Sequence, residues 1–264
     1  MLKQFLVLPL LVVTSSAAAG QIVPSIHWKP NDVDRSQPPV VLPGGCSGDT
    51  QAGDAPADAI VLFDGKNLSQ WLGVKETPPR WKLGDGYMEV VSRTGSIHTR
   101  QAFGDCQLHL ECATPDPPTG TGQGRGNSGI ILMSHYEIQI LDSYHNTTYA
   151  DGAAAAVYSQ YPPLVNVSRP PGRWQTYDIV FHAPRFGPDQ SLMKAATVTV
   201  FFNGVLVQDN VTLTGPTGTR HAERRPYQAH PDRLPLLLQD HGCPVRFRNI
   251  WIRELQNMNT GSED

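Results

Sequence analysis

Charge is scarce in this 264-residue chain: Asp, Glu, Lys and Arg make up 17% of it, and the net formal charge is −3. A generic nucleic-acid-binding surface needs a basic excess to neutralise phosphates, so that class of function is disfavoured. Helical periodicity is missing as well. No segment carries three turns of a 3.6-residue apolar pattern, and Ala153 to Val157 is too short to count. Cysteines number four, with no Cys-x-x-Cys or His-rich spacing, so a structural zinc site finds no ligands. No internal repeat is visible.

Turn-formers are abundant instead, with 24 Gly and 23 Pro. Both break long helices, which argues against a helical bundle or a coiled coil. Hydrophobic residues at 39% fit a folded chain.

The first 19 residues read as an export signal. Lys3 supplies the positive start, Phe5 to Val13 an apolar run, and Ala17-Ala18-Ala19 a small-residue cleavage site before Gly20. The apolar run is shorter than the roughly 20 residues that a membrane span needs, and no later segment approaches that length. The expectation is a secreted or periplasmic protein with no membrane association after cleavage. Asn67, Asn146, Asn166 and Asn210 open glycosylation sequons, which matter only in a eukaryotic host.

Four cysteines suit an oxidising compartment. Cys106 and Cys112 flank one extended run, and six strand residues span roughly 20 Å, so they cannot bridge each other. The preferred pairing is Cys112 with Cys243, with Cys46 and Cys106 either paired or free.

Residues 20–57 are rich in Pro and Gly without periodicity and read as a leader or linker. From Ala59 the pattern changes to short apolar alternations between turns. Strands are predicted at Ala59 to Phe63, Trp81 to Leu83, Tyr87 to Val91, Gln107 to Ala113, Gly129 to Met133 and His135 to Leu141. Others follow at Gln175 to His182, Thr197 to Phe202, Val205 to Val207 and Val245 to Arg253. Gly84-Asp85-Gly86 and Asn203-Gly204 mark hairpins. Many short strands without intervening helices indicate an all-β sandwich of two antiparallel sheets. Residues 256–264 are a polar tail.

The stretch richest in chemistry is His135-Tyr-Glu-Ile-Gln-Ile-Leu-Asp-Ser143. A plain strand puts Glu137 and Gln139 on one face and Asp142 on the other. One bulge near Ile140-Leu141 would return Asp142 to their side, aligning two carboxyls for acid–base or nucleophilic work on a glycoside. Gly124-Arg-Gly-Asn-Ser-Gly129 places Asn127 on a glycine-flanked corner, where its amide can meet a ligand. Leu236-Leu-Leu-Gln-Asp-His-Gly242 ends a strand with Gln239, Asp240 and His241 together. His241 is the best candidate base near neutral pH, with a weaker case for His135.

Taken together, several stretches resemble one family: Leu62-Phe-Asp-Gly-Lys-Asn-Leu-Ser-Gln-Trp71, Asn127-Ser-Gly-Ile130, Tyr136-Glu-Ile-Gln-Ile-Leu-Asp142, Pro171-Gly-Arg-Trp174, Phe202-Asn-Gly204, Leu238-Gln-Asp-His-Gly242 and Phe247-Arg-Asn-Ile250. In identity and order they resemble the 3-keto-disaccharide hydrolases, over about residues 58–255. The resemblance implies a concanavalin A-like jelly roll of two curved sheets with a sugar cleft on the concave face, and an oligosaccharide or glycoside substrate. Laminarinase-type glucanases on that architecture carry three acids on a bulged strand. Here Gln139 takes the middle place, which counts against a retaining double displacement. The long stretches Thr114 to Gly126 and Thr217 to Arg233 depart from the family pattern and are candidates to rim the cleft.

The resemblance implies a reaction. A ketone at C3 acidifies the hydrogen at C2, so the C1 group can leave by elimination and water can add afterwards. The candidate base is His241 or Glu137 and the candidate acid Asp142 or Glu137. Asn127, Gln139 and Gln239 would orient the sugar, with Gln139 donating to the enolate, and Tyr158 would stack on it; Trp71 is expected in the core. A divalent metal could polarise the ketone, yet no ligand set is legible. The alternatives are a laminarinase-type retaining glucanase and a non-catalytic, lectin-like carbohydrate-binding module.

Overall fold

The computed structural model describes residues 31–34, 37, 48, 52–217 and 225–255. The export signal, most of the leader, Cys46, Arg220, Arg224 and the polar tail lie outside them. Among the described residues, thirteen of fifteen strands form two main antiparallel sheets, the jelly-roll sandwich expected from the sequence. Among the described residues the helical content is three single 3₁₀ turns, and no helix is long and apolar enough to cross a membrane.

The larger sheet joins β1 (Ile60–Phe63), β3 (Lys82–Leu83), β4 (Met88–Glu89), β6 (Cys106–Ala113), β9 (Gln175–His182), β12 (Thr197–Phe202), β13 (Val205–Thr212) and β15 (Arg246–Glu254). Its order is β13-β12-β9-β6-β15-β4-β3, with β1 also pairing β15. The smaller sheet runs β2-β5-β14-β7-β8, from β2 (Trp71–Leu72), β5 (Ile97–Phe103), β14 (Leu234–Leu238), β7 (Ser128–Leu132) and β8 (Tyr136–Ile140). A separate ribbon pairs β10 (Arg185–Phe186) with β11 (Leu192–Lys194).

Alternation decides what each face carries. On β6, Leu108, Leu110 and Cys112 point into the sandwich and are at most 1% exposed. From the smaller sheet, Leu238, Ile130 and Ile138 meet them as one cross-strand row, and Leu132 with Tyr136 as another. Each large side chain buried this way contributes roughly 1.5–3 kcal/mol. Trp71 is fully buried, as expected, and its Nε1 donates to Leu62 O at 2.9 Å.

The outer face of the larger sheet holds a polar cluster. His109 Nδ1 lies 2.6 Å from Asp178, and its ring stacks on Trp251. Glu111 accepts from Arg248 Nε at 2.7 Å and from Asn249 Nδ2 at 2.9 Å. Burial alone would disfavour the imidazolium, but Asp178 and Glu111 outweigh it and push the His109 pKa up to about 9.

The expected Cys112–Cys243 disulfide does not form. Cys106, Cys112 and Cys243 are all free thiols. Cys112 faces the core, and its neighbour across β15 is Phe247. Cys243 sits in the turn that precedes that strand, partly exposed, with Sγ 3.9 Å from Gly124 O.

Candidate active site

The second face of the smaller sheet is built from the same alternation. Glu137 lies opposite Ile131, and Ile131 opposite Leu237; Gln139 lies opposite Gly129. Gln239 extends β14 by one residue and donates its backbone N–H to Gly129 O at 3.0 Å. Gln239, Gly129 and Gln139 therefore form one row beside Glu137. Because Gly129 has no side chain, the carboxyl of Glu137 extends over its backbone.

A cavity of about 400 Å³ opens above this row. It is lined by Asn127, Glu137, Gln139, Tyr158, Gln239 and His241, all singled out in the sequence, together with Ile131, Ser134, His135 and Thr217. Glu137 is 6% exposed, and its carboxyl has no hydrogen-bond or ion-pair partner among the described residues. Burial without compensation raises its pKa to about 7. His241, in contrast, stands exposed on a turn that Asp240 braces, accepting from Gly95 N and Gly242 N at 2.9 Å each.

Asp142 does not join them. In/out alternation does break after β8, where Ile140 and Leu141 both enter the core. The Asp142 carboxyl is then intercepted by Arg125, whose Nε donates to it at 2.7 Å, and by Tyr144 N at 3.1 Å. Arg125 also donates to Tyr144 O, and Asn146 Nδ2 to Asp142 O. Asp142 thus anchors the base of the 114–126 loop and does not line the cavity. Burial raises its pKa despite the pull of Arg125.

That loop supplies a residue which sequence reasoning missed. Gln123 Oε1 accepts from Gln139 Nε2 at 2.9 Å and from Asn127 Nδ2 at 3.3 Å, while Gln123 Nε2 donates to Gly152 O at 2.8 Å. Backbone carbonyls fix all three amides, since only an NH₂ can face Gly152 O or Gln123 O. Gln139 therefore cannot serve as the expected enolate donor. Its nitrogen is committed, and its Oε1 is buried without a partner. Gln239 is the amide with a free donor among the described residues: its Oε1 is buried and unpartnered, and its Nε2 makes no hydrogen bond to any of them.

Tyr158 shares a 2.7 Å hydroxyl–hydroxyl bond with Tyr149. His135 lies two residues before Glu137 on the same face. Burial and the neighbouring His230 ring lower its pKa. Its i, i+2 spacing from Glu137 was a usable signal. Thr217 had none: its Oγ1 accepts from Glu137 N and so pins the start of β8 from far along the chain. Arg233, in the basic stretch, pairs with Glu254 away from the cavity. Among the described residues, no group of three or more His, Cys, Asp or Glu side chains could hold a metal ion.

The sequence profile of the 3-keto-alpha-glucoside-1,2-lyase-like domain family matches residues 58–253. A solved structure from Parabacteroides distasonis ATCC 8503, named provisionally as a glycosyl hydrolase, shares 45% identity at a TM-score of 0.75, covering 83% of this chain and 93% of its own. A second structure from that organism, similarly named, superposes at a TM-score of 0.54 with 18% identity, covering 75% and 94%, and speaks to the fold alone. No curated protein matches.

Proposed function

The chain belongs to the family of 3-keto-alpha-glucoside-1,2-lyase-like domains, and we propose that it cleaves 3-keto-glycosides by elimination followed by hydration. The observation that carries this reading is the buried, unpartnered carboxyl of Glu137 sharing one cavity with the imidazole of His241. A retaining glycosidase needs two carboxyls about 5–5.5 Å apart. Glu137 is the only carboxylate among the described residues lining this cavity.

In this mechanism the Glu137 carboxylate removes the proton at C2, and the electron pair is held as the enolate of the C3 ketone. Gln239 Nε2 and the Tyr158 hydroxyl are the donors suited to that oxygen. The enolate collapses to a C1–C2 double bond as the C1–oxygen bond breaks, and the His241 imidazolium gives its proton to the departing oxygen. Water then adds at C1, losing a proton to His241, while Glu137, its proton exchanged with solvent in the interval, protonates C2. A base of pKa about 7 is matched to this exchange at neutral pH. Residues 1–19 support an exported enzyme acting outside the cytoplasm.

The test compares 3-keto-trehalose with trehalose in D₂O. Product from the keto-sugar alone, with deuterium at C2, supports the proposal, and Glu137→Gln should abolish both. Cleavage of unoxidised laminarin or trehalose would establish an ordinary glucanase. Sugar binding without turnover, unchanged in Glu137→Gln, would establish a carbohydrate-binding module.

A further inference from the structure

His241 lines two cavities. Beyond it lies a second one of about 640 Å³, whose walls include Ser92, Arg93, Gly124, Gly242 and Cys243. A group that protonates a departing oxygen must stand between the sugar it leaves and the leaving group itself. His241 occupies that position between the two spaces.

The second cavity has a definite chemical character. Among the described residues its walls carry no Phe, Tyr or Trp, and His241 supplies their one aromatic ring. The Asp240 carboxylate in its wall is occupied by the two backbone N–H groups of Gly95 and Gly242. Arg93 is exposed and has no partner among the described residues. It is held at φ +65° in the turn closed by Thr94 N donating to Val91 O, a conformation that a non-glycine residue rarely adopts. The same turn is tied to the His241 loop through Gly95 N and Asp240, so the backbone that carries the cation is held beside the one that carries the imidazole.

We propose that this second cavity is the leaving-group subsite and that Arg93 selects leaving groups bearing an anion, a phosphate or a carboxylate on a second sugar. The inference rests on the catalytic reading above for the role of His241, but its binding test does not require turnover.

Trehalose 6-phosphate, an α-glucosyl glucuronate and trehalose would be titrated calorimetrically into the wild type and Arg93→Gln. At least one anionic sugar should bind about three- to five-fold tighter than trehalose, as for one exposed charge pair, and Arg93→Gln should erase that advantage. In a Cys46→Ser background the favoured sugar should also protect Cys243 from iodoacetamide, since Cys106 and Cys112 are buried. Equal affinities, no binding, an advantage that survives Arg93→Gln, or unprotected Cys243 would each overturn the assignment. If Arg93-dependent binding holds while 3-keto-trehalose is not turned over, the site for an anionic sugar stands, and the elimination mechanism falls together with the leaving-group role.

Discussion

The carboxyl of Glu137 rests on the bare backbone of Gly129: a Cβ at that glycine would lie 2.4 Å from Glu137 Oε1 and 3.0 Å from its Cδ. Two adjacent strands thus fix the proposed base, one by supplying it and the other by leaving room for it.

Gly129→Ala should therefore displace the carboxyl while leaving the β7–β8 pairing intact. A shift of about 1 Å in a reacting group costs on the order of a hundred-fold in rate. The expected result is a fall of that size in kcat on a 3-keto-glucoside, with a melting temperature close to wild type. Equal losses in both would mean that the glycine serves the fold instead.

The pKa of Glu137 makes activity and stability oppose each other. The folded value is about 7 against 4.5 for a free glutamate, so the native state holds the proton more tightly than the unfolded chain does. No penalty exists below pH 4.5. It grows as pH rises from there to about 7 and is complete above, on the order of 3 kcal/mol. Glu137→Gln should then melt higher than wild type at pH 8, with the difference vanishing near pH 4, while activity is lost. In the wild type, the acid limb of kcat/KM should rise through about pH 7, where Glu137 loses its proton.

Gln123 reaches the sugar only through Asn127 and Gln139. Gln123→Ala frees both amides to rotate, and losing one such restraint is worth roughly 1 kcal/mol. The expected effect is a rise in KM of about five- to ten-fold, with kcat and its pH profile little changed. Gln123→Glu keeps the acceptor for both amides and should recover part of the loss.

Asp142 separates an anchor from an acid. Removing one partner of a buried ion pair costs about 3–5 kcal/mol, so Asp142→Ala should lower the melting temperature markedly. Were Asp142 the acid, one limb of the pH–rate profile would vanish with it; as the partner of Arg125, its loss leaves both limbs in place in whatever fraction still folds.

The strands visible in the sequence were those with clean alternation or a Gly-marked turn, such as Gln175–His182, found with the bounds expected, and Thr197–Phe202 before Asn203-Gly204. Ile97–Phe103 was missed because His98, Thr99, Arg100 and Gln101 blur its period. The cavity residues on β8 and β14 could be read because period two and a local string place them. Gln123 and Thr217 act through backbone carbonyls and a backbone amide of distant strands, and no local pattern encodes such partners. Asp142 was misplaced for a related reason. The break in alternation was legible, but the Arg125 waiting there came from a loop 17 residues upstream.

Past β8 the small sheet would present an open border, yet the 155–158 segment closes it. Gln139 N donates to Ala156 O, Ala155 N to Gln139 O and Tyr158 N to Glu137 O, with Ile138 and Val157 bridged. The strand bearing the proposed base is therefore hydrogen-bonded along both flanks. It offers no unpaired amides to a neighbouring molecule, and so no template for strand-on-strand self-association at high concentration.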